Sequence, residues 1–240
     1  RAERELLANV SHELRTPLAR IQVAVDLASE GDTDVAREAL SEVAEDLAEL
    51  DRLIGAILVA ARLDIGSIEE SGLPPLRREP LDLTSLLEKA SIRFRSAHVQ
   101  RPLIVHLAEA LPTVEGDVVL LRRAIDNLLE NAHKYSDGPE APVELEATSA
   151  DATVIIEVRD RGIGISPEDL PLVFRPFFRA DRSRTRATGG LGLGLALARR
   201  IIEAHQGTIE LISQVGHGTR ARICLPVPAR SIEQATWDPK

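Results

Sequence analysis

Apolar residues in the first quarter of the chain recur at alternating three- and four-residue steps. Leu7, Val10, Leu14, Leu18, Ile21 and Val25 form one set; Leu40, Val43, Leu47, Leu50, Ile54, Ile57 and Ala61 form another. Such spacing puts each set on one stripe of an α-helix, predicting a first helix over residues 1 to about 30 and a second from about 35 into the 60s. Glu30-Gly31-Asp32-Thr33-Asp34 is a polar break whose Asp or Thr can cap the second helix. The second set reads as a heptad seam. A hairpin of this size buries little by itself, so pairing with a second copy into a four-helix bundle is expected. The alternative is a hairpin docked on the following domain.

The texture then changes. Gly72, Pro74, Pro75 and Pro80 stand among few large apolar groups, which predicts an interdomain linker over 67–79 between a hairpin at 1–66 and a domain at 80–228. Within that domain, Leu81–Ala90 looks helical, Pro102–Leu107 extended, and Asp117–Tyr135 a long helix. Val143–Ala147 and Val154–Arg159 alternate as paired strands, and a short helix is expected near Pro167–Val173. A Gly- and Arg-rich loop leads to a helix from about Leu193 to Ala204, and Thr208–Ser213 and Thr219–Leu225 close as strands. Strands clustered with separated helices predict a two-layer α/β sandwich, followed by an uncommitted tail at 229–240.

Composition narrows the function classes. At 240 residues and 44% hydrophobic content the chain is long enough for one to two packed domains. A formal net charge of −9 argues against nucleic-acid binding and gives no reason to expect contact with a membrane surface. The single cysteine, Cys224, fits a reducing compartment and is expected as a small buried residue in a strand. The most apolar run, Leu53–Ala61, is too short to cross a bilayer and no signal peptide precedes the first helix, so a soluble chain is expected. The sequence has no methionine and opens inside a helical pattern, which reads as a fragment of a longer protein.

Four stretches carry chemistry. In Asn9-Val10-Ser11-His12-Glu13-Leu14-Arg15-Thr16-Pro17-Leu18, His12 lies off the apolar stripe, with Glu13 beside it and Thr16 one turn on. A solvated imidazole beside a carboxylate is a nucleophile whose ring the carboxylate orients or deprotonates; Pro17 predicts a local bend beside it. In Asp126–Tyr135, residues Asn127, Asn131, Lys134 and Tyr135 fall on one polar helix face. An amide oxygen there suits a Mg²⁺ that keeps most of its waters, and a lysine supplies point charge to phosphates. Asp160-Arg161-Gly162-Ile163-Gly164-Ile165 follows a strand; its glycines let backbone approach a planar ring, and its carboxylate can accept adenine amino hydrogens. Thr188-Gly189-Gly190-Leu191-Gly192-Leu193-Gly194-Leu195 enters a helix, where amides at a positive helix end suit phosphate; the Walker Lys-Ser/Thr is missing.

The ten residues around His12 resemble the H-box of sensor histidine kinases, and the later stretches resemble that family's N-box and its first and second glycine boxes, in the same order. Phe174–Asp181 resembles the F-box and Gly216-His217-Gly218-Thr219 the third glycine box. The resemblance covers nearly the whole chain to Pro228. It implies a dimerising phosphoacceptor bundle followed by a Bergerat-type ATP-binding domain, with ATP and Mg²⁺ as cofactors and a homodimer through the hairpin. It also implies a response-regulator receiver domain as partner, and a cytoplasmic fragment of an inner-membrane sensor.

By that resemblance His12 receives the γ-phosphoryl group, Glu13 orients or deprotonates it, and Thr16 positions water for dephosphorylating the regulator. Asn131 becomes the Mg²⁺ ligand and Asp160 the adenine acceptor, with Thr219 near the adenine edge. Asn127, Lys134, Tyr135, Gly162, Gly164, Gly190, Gly192 and Gly194 complete the nucleotide site, and Arg179 and Arg184 are candidates to reach the γ-phosphate. Residues from about Phe174 to Gly190 are expected to form a lid. The nearest rival is an ATP hydrolase of the same superfamily. Its water-activating glutamate would stand where this chain has Asn127, and an amide is no general base; Glu130 remains as a polarising group for slow hydrolysis. A scaffold with a degenerate pocket is the third reading, against which the intact motifs stand.

Overall fold

The computed structural model describes residues 18–19, 21–26, 39–40, 43, 47, 50, 76–179 and 192–228. His12, Glu13, Thr16, Arg184 and Gly190, most of the expected lid and the tail at 229–240 lie outside the described residues. All described residues before 51 are helical. Ala24, Ala39 and the seam residue Leu50 are buried, whereas Leu18 and Val25 of the first stripe and Leu40 and Leu47 of the heptad seam are 53–63% exposed in the single chain.

From Leu76 onward the chain builds two layers. β1 (Glu79–Leu81) pairs antiparallel with β3 (Val114–Gly116). Leu76 already packs against the core and Arg78 donates a 2.7 Å hydrogen bond to the carbonyl of Ala204, so ordered packing begins inside the stretch read as linker. The main sheet holds β2 (Leu103–Leu107), β4 (Val143–Ala150), β5 (Thr153–Arg159), β6 (Thr208–Gln214) and β7 (Gly218–Pro226) in the order β2-β4-β5-β7-β6. Only the β2–β4 pairing is parallel. Alternate residues, among them Val143, Leu145, Val154, Ile156, Val158, Ile223 and Leu225, point to one face and meet α1 (Leu83–Ala97), α2 (Val118–Tyr135) and α3 (Gly194–Ala204) there.

Helix starts follow from capping. Asp82 accepts the Ser85 amide at 3.2 Å, and Asp117 accepts those of Val119 and Leu120 at 3.0 and 3.2 Å. α1 begins two residues later than expected because Leu81 belongs to β1, and it runs on past Ala90 because Phe94, 4% exposed, continues the buried stripe. No α-helix forms near Pro167–Val173. Ser166 and Asp169 bond each other's side chain and backbone, and the segment folds into consecutive tight turns. Cys224 is half-buried rather than buried, since it alternates with Ile223 and Leu225 and points away from the helices.

Candidate functional site

The end of α2 and the turn after β5 are stitched together. Ser136 and Gly162 form an isolated antiparallel bridge, and the amide of Ile163 donates to the carbonyl of Tyr135 at 3.1 Å. A side chain at position 162 would put its Cβ 1.8 Å from that carbonyl oxygen, so only glycine permits this approach. The stitch turns one edge of α2 toward the sheet and leaves a cavity of about 210 Å³ between them. Asn131, Lys134, Tyr135, Asp160, Gly164, Arg179 and Thr219 all line it, together with an apolar slot that includes Leu128, Val158, Ile163, Val173 and Leu211.

Asp160 sits at the inner end of that slot. Its Oδ1 accepts the amides of Gly162 at 3.0 Å and Thr219 at 3.1 Å, which leaves Oδ2 available to a ligand. Burial pushes its pKa up to about 6, and the two backbone donors offset only part of that rise. A half-desolvated carboxylate of this kind, beside a flat apolar slot, fits the exocyclic amino group of a purine.

The other end suits phosphate. α3 starts at Gly194 with no side-chain cap on its first amides and no acidic residue in its first turn. Asn127 donates to the Gly194 carbonyl at 3.2 Å, and a Cβ built on Gly194 would lie 3.8 Å from Nδ2 of Asn131, so both asparagines face the helix start. Gly192, at φ +68°, hands the chain into α3 while its carbonyl accepts the Phe177 amide at 3.0 Å. Phe178 and Arg179 thereby become a wall of the cavity. Gly162, Gly192, Gly194 and Asn127 shape the site without lining it.

A metal has few protein ligands to choose from. Among the described residues no group of three or more His, Cys, Asp or Glu can hold one. One amide oxygen from Asn131, beside a helix start suited to phosphate, fits a hydrated Mg²⁺ carried in by a triphosphate. Glu130 points elsewhere: its carboxylate bonds His98 Nε2 at 2.8 Å on the α1 side of α2, outside the cavity, so it polarises nothing in the site.

Two contributors escaped the sequence reading. Arg101, 8% exposed, donates to the carbonyls of Gly138, Ala141 (2.7 Å) and His133 (3.3 Å), pinning the turn after α2 beside Ser136 and Asp137 of the cavity wall. Ser213 ties the loop after Gly164 to Thr219. Neither stands in a motif: the carbonyls Arg101 bonds lie 32–40 residues away, and Ser213 joins Ile165, 48 residues away, to Thr219 across the β6–β7 hairpin.

Comparison with known proteins agrees with this geometry. The family described as "His Kinase A (phospho-acceptor) domain" matches residues 2–66, and "Histidine kinase-, DNA gyrase B-, and HSP90-like ATPase" matches residues 116–229. Sensor protein kinase WalK of Staphylococcus epidermidis is 33% identical over 243 residues, covering 99% of this chain; the chain spans only 38% of that relative's length. The mycobacterial sensor histidine kinase MprB is 30% identical, with a TM-score of 0.55 over 62% of this chain and 97% of that one. ShkA, solved full-length with AMPPNP, is 27% identical, with a TM-score of 0.65 over 92% of this chain and 45% of that one. The described helices carry no segment long and apolar enough to cross a membrane. Matched by these two families in this order, the chain belongs to the sensor histidine kinase family.

Proposed function

We propose that this chain phosphorylates itself on His12 with ATP and passes the phosphoryl group to an aspartate on a response-regulator receiver domain. A ring nitrogen of His12 attacks the γ-phosphorus in line; the N–P bond forms, the bond to the β,γ-bridging oxygen breaks and ADP leaves. Glu13 orients the ring or takes its proton. Asp160 and Thr219 hold the base, Lys134 and the amides at the start of α3 hold phosphate, and Arg179 and Arg184 reach for the γ-group. Asn131 holds Mg²⁺, which neutralises charge on the phosphates. Thr16 positions water for the reverse task, dephosphorylating the regulator. One observation carries the reading: Asn131, Lys134, Asp160 and Thr219, from three separate motifs, line a single cavity.

The exposed seam residues Leu18, Val25, Leu40 and Leu47 support a homodimer through the hairpin, which buries them in a four-helix bundle. The intact protein is read as an inner-membrane sensor with this part in the cytoplasm. The test is incubation with γ-labelled ATP and Mg²⁺. Acid-labile, alkali-stable label is expected, absent in His12→Gln and lost in Asn131→Ala; undiminished label on His12→Gln overturns the assignment. Thr16→Ala is expected to slow regulator dephosphorylation while sparing autophosphorylation, and an unchanged phosphatase rate removes its role.

A further inference from the structure

Ser213 lies on β6, behind the cavity wall and outside every motif of the site. Its hydroxyl makes three hydrogen bonds: the Ile165 amide at 2.8 Å, the Gly218 carbonyl at 2.9 Å and Thr219 Oγ1 at 2.8 Å. Counting protons fixes their directions. The Ile165 amide can only donate and the Gly218 carbonyl can only accept, so the single Ser213 proton goes to Gly218. Thr219 must then be the donor in the bond between the two hydroxyls. Its one proton is spent on Ser213, and Oγ1 turns only lone pairs toward the cavity that Thr219 lines. Asp160, whose Oδ1 is fixed by the Thr219 and Gly162 amides, presents a carboxylate next to it. The base-binding end of the cavity is therefore a pair of acceptors.

We infer that Ser213 is a positioning residue that sets base specificity: by taking the Thr219 proton it keeps the pocket acceptor-only, selecting 6-aminopurine over 6-oxopurine nucleotides. This rests on the reading that the cavity takes an adenosine nucleotide. A 6-amino group offers two hydrogens to such a pair, whereas a 6-oxopurine offers its one ring N1–H and sets its oxygen against the second acceptor, which leaves buried groups unpaired. Without Ser213 the Thr219 hydroxyl rotates freely and donates into the cavity, which a 6-oxo group tolerates.

The test is calorimetric binding of Mg-ADP and Mg-IDP to the full chain, two ligands with no γ-phosphate to turn over. Wild type is expected to favour ADP by about tenfold or more. Ser213→Ala is expected to cut that ratio about fivefold or more, and Ser213→Thr, which keeps the hydroxyl, to restore it. Thr219→Val is expected to lower the ratio by itself, and adding Ser213→Ala to it should change the ratio no further, because Ser213 acts through Thr219. Thr219→Val also decides the matter should Ser213→Ala lose its fold. If the wild-type ratio is near one, or Ser213→Ala weakens both ligands equally, the inference is overturned while the nucleotide site stands. If wild type binds neither ligand, the nucleotide reading falls and this inference with it.

Discussion

Glu157 and Asp160 stand three residues apart at the end of one strand and lead opposite lives. Glu157 points to the open face of the sheet, where Arg222 Nε donates to Oε1 at 2.6 Å and Arg159 Nε to Oε2 at 3.0 Å, and the arginine side chains cover it to 5% exposure. Burial alone pushes its carboxyl upward, but the hydrogen bonds from Arg159 and Arg222 outweigh that and hold it below the usual glutamate range. Among the described residues no guanidinium is hydrogen-bonded to Asp160. Burial dominates there and lifts its pKa to about 6. A carboxylate that the fold has fully paired is part of the fold, whereas one half-paired at the end of an apolar slot is held for a ligand.

Replacing each acid by its amide breaks this comparison most directly. Asp160→Asn keeps an Oδ1 for the two backbone amides but turns a donor toward the ligand, so affinity for ATP is expected to fall about 100-fold, read by calorimetry. The same change removes a desolvated charge, and the ligand-free domain is expected to gain about 1–2 kcal/mol at pH 7.5 in urea denaturation. Glu157→Gln should do the reverse. It leaves Arg159, Arg222 and, at 3.9 Å, Arg220 facing one amide, which costs about 1–2 kcal/mol of stability, less than a sealed pair because those arginines remain partly hydrated. ATP affinity should stay within about twofold, as expected for a change outside the cavity. A Glu157→Gln protein that folds normally but loses ATP would dissolve the distinction.

The contrast also marks what sequence could and could not reveal. α2 was legible in full, from the Asp117 cap to Tyr135, because capping and periodicity are local. So was the Asp160 turn, although Gly162 there gives way to the backbone of Tyr135 and Ser136 rather than to a planar ring. The partners of Glu157 were not, because the register that sets Glu157 opposite Arg222 joins positions 65 residues apart. β1 escaped for the same reason: its partner β3 lies beyond α1 and β2, and Pro80 disguised an edge strand as linker. Ser213 and Arg101 act through hydrogen bonds whose partners come from other segments, which no spacing rule reports.

The smallest and most discriminating effect is on pH dependence. Asp160 has its pKa raised on folding, from 3.8 to about 6, so the folded ligand-free domain binds the proton more readily than the unfolded chain. Its contribution to stability is full below about 4 and is lost as pH rises through about 6. His133 and His205 carry the opposite sign. Burial lowers both pKa values; His205 holds the Asp117 amide on Nε2 at 2.9 Å and must stay neutral to do so, so acid destabilises through them. Wild-type stability alone therefore mixes opposing slopes. The difference between Asp160→Asn and wild type isolates one: the variant's advantage of about 1–2 kcal/mol at pH 7.5 should shrink to about a third of that by about pH 4.5 and vanish as pH falls past 3.8, while wild-type ATP affinity weakens over the same interval. A difference that stays flat across that range would mean Asp160 is hydrated like any surface acid, and the line between it and Glu157 would have to be redrawn.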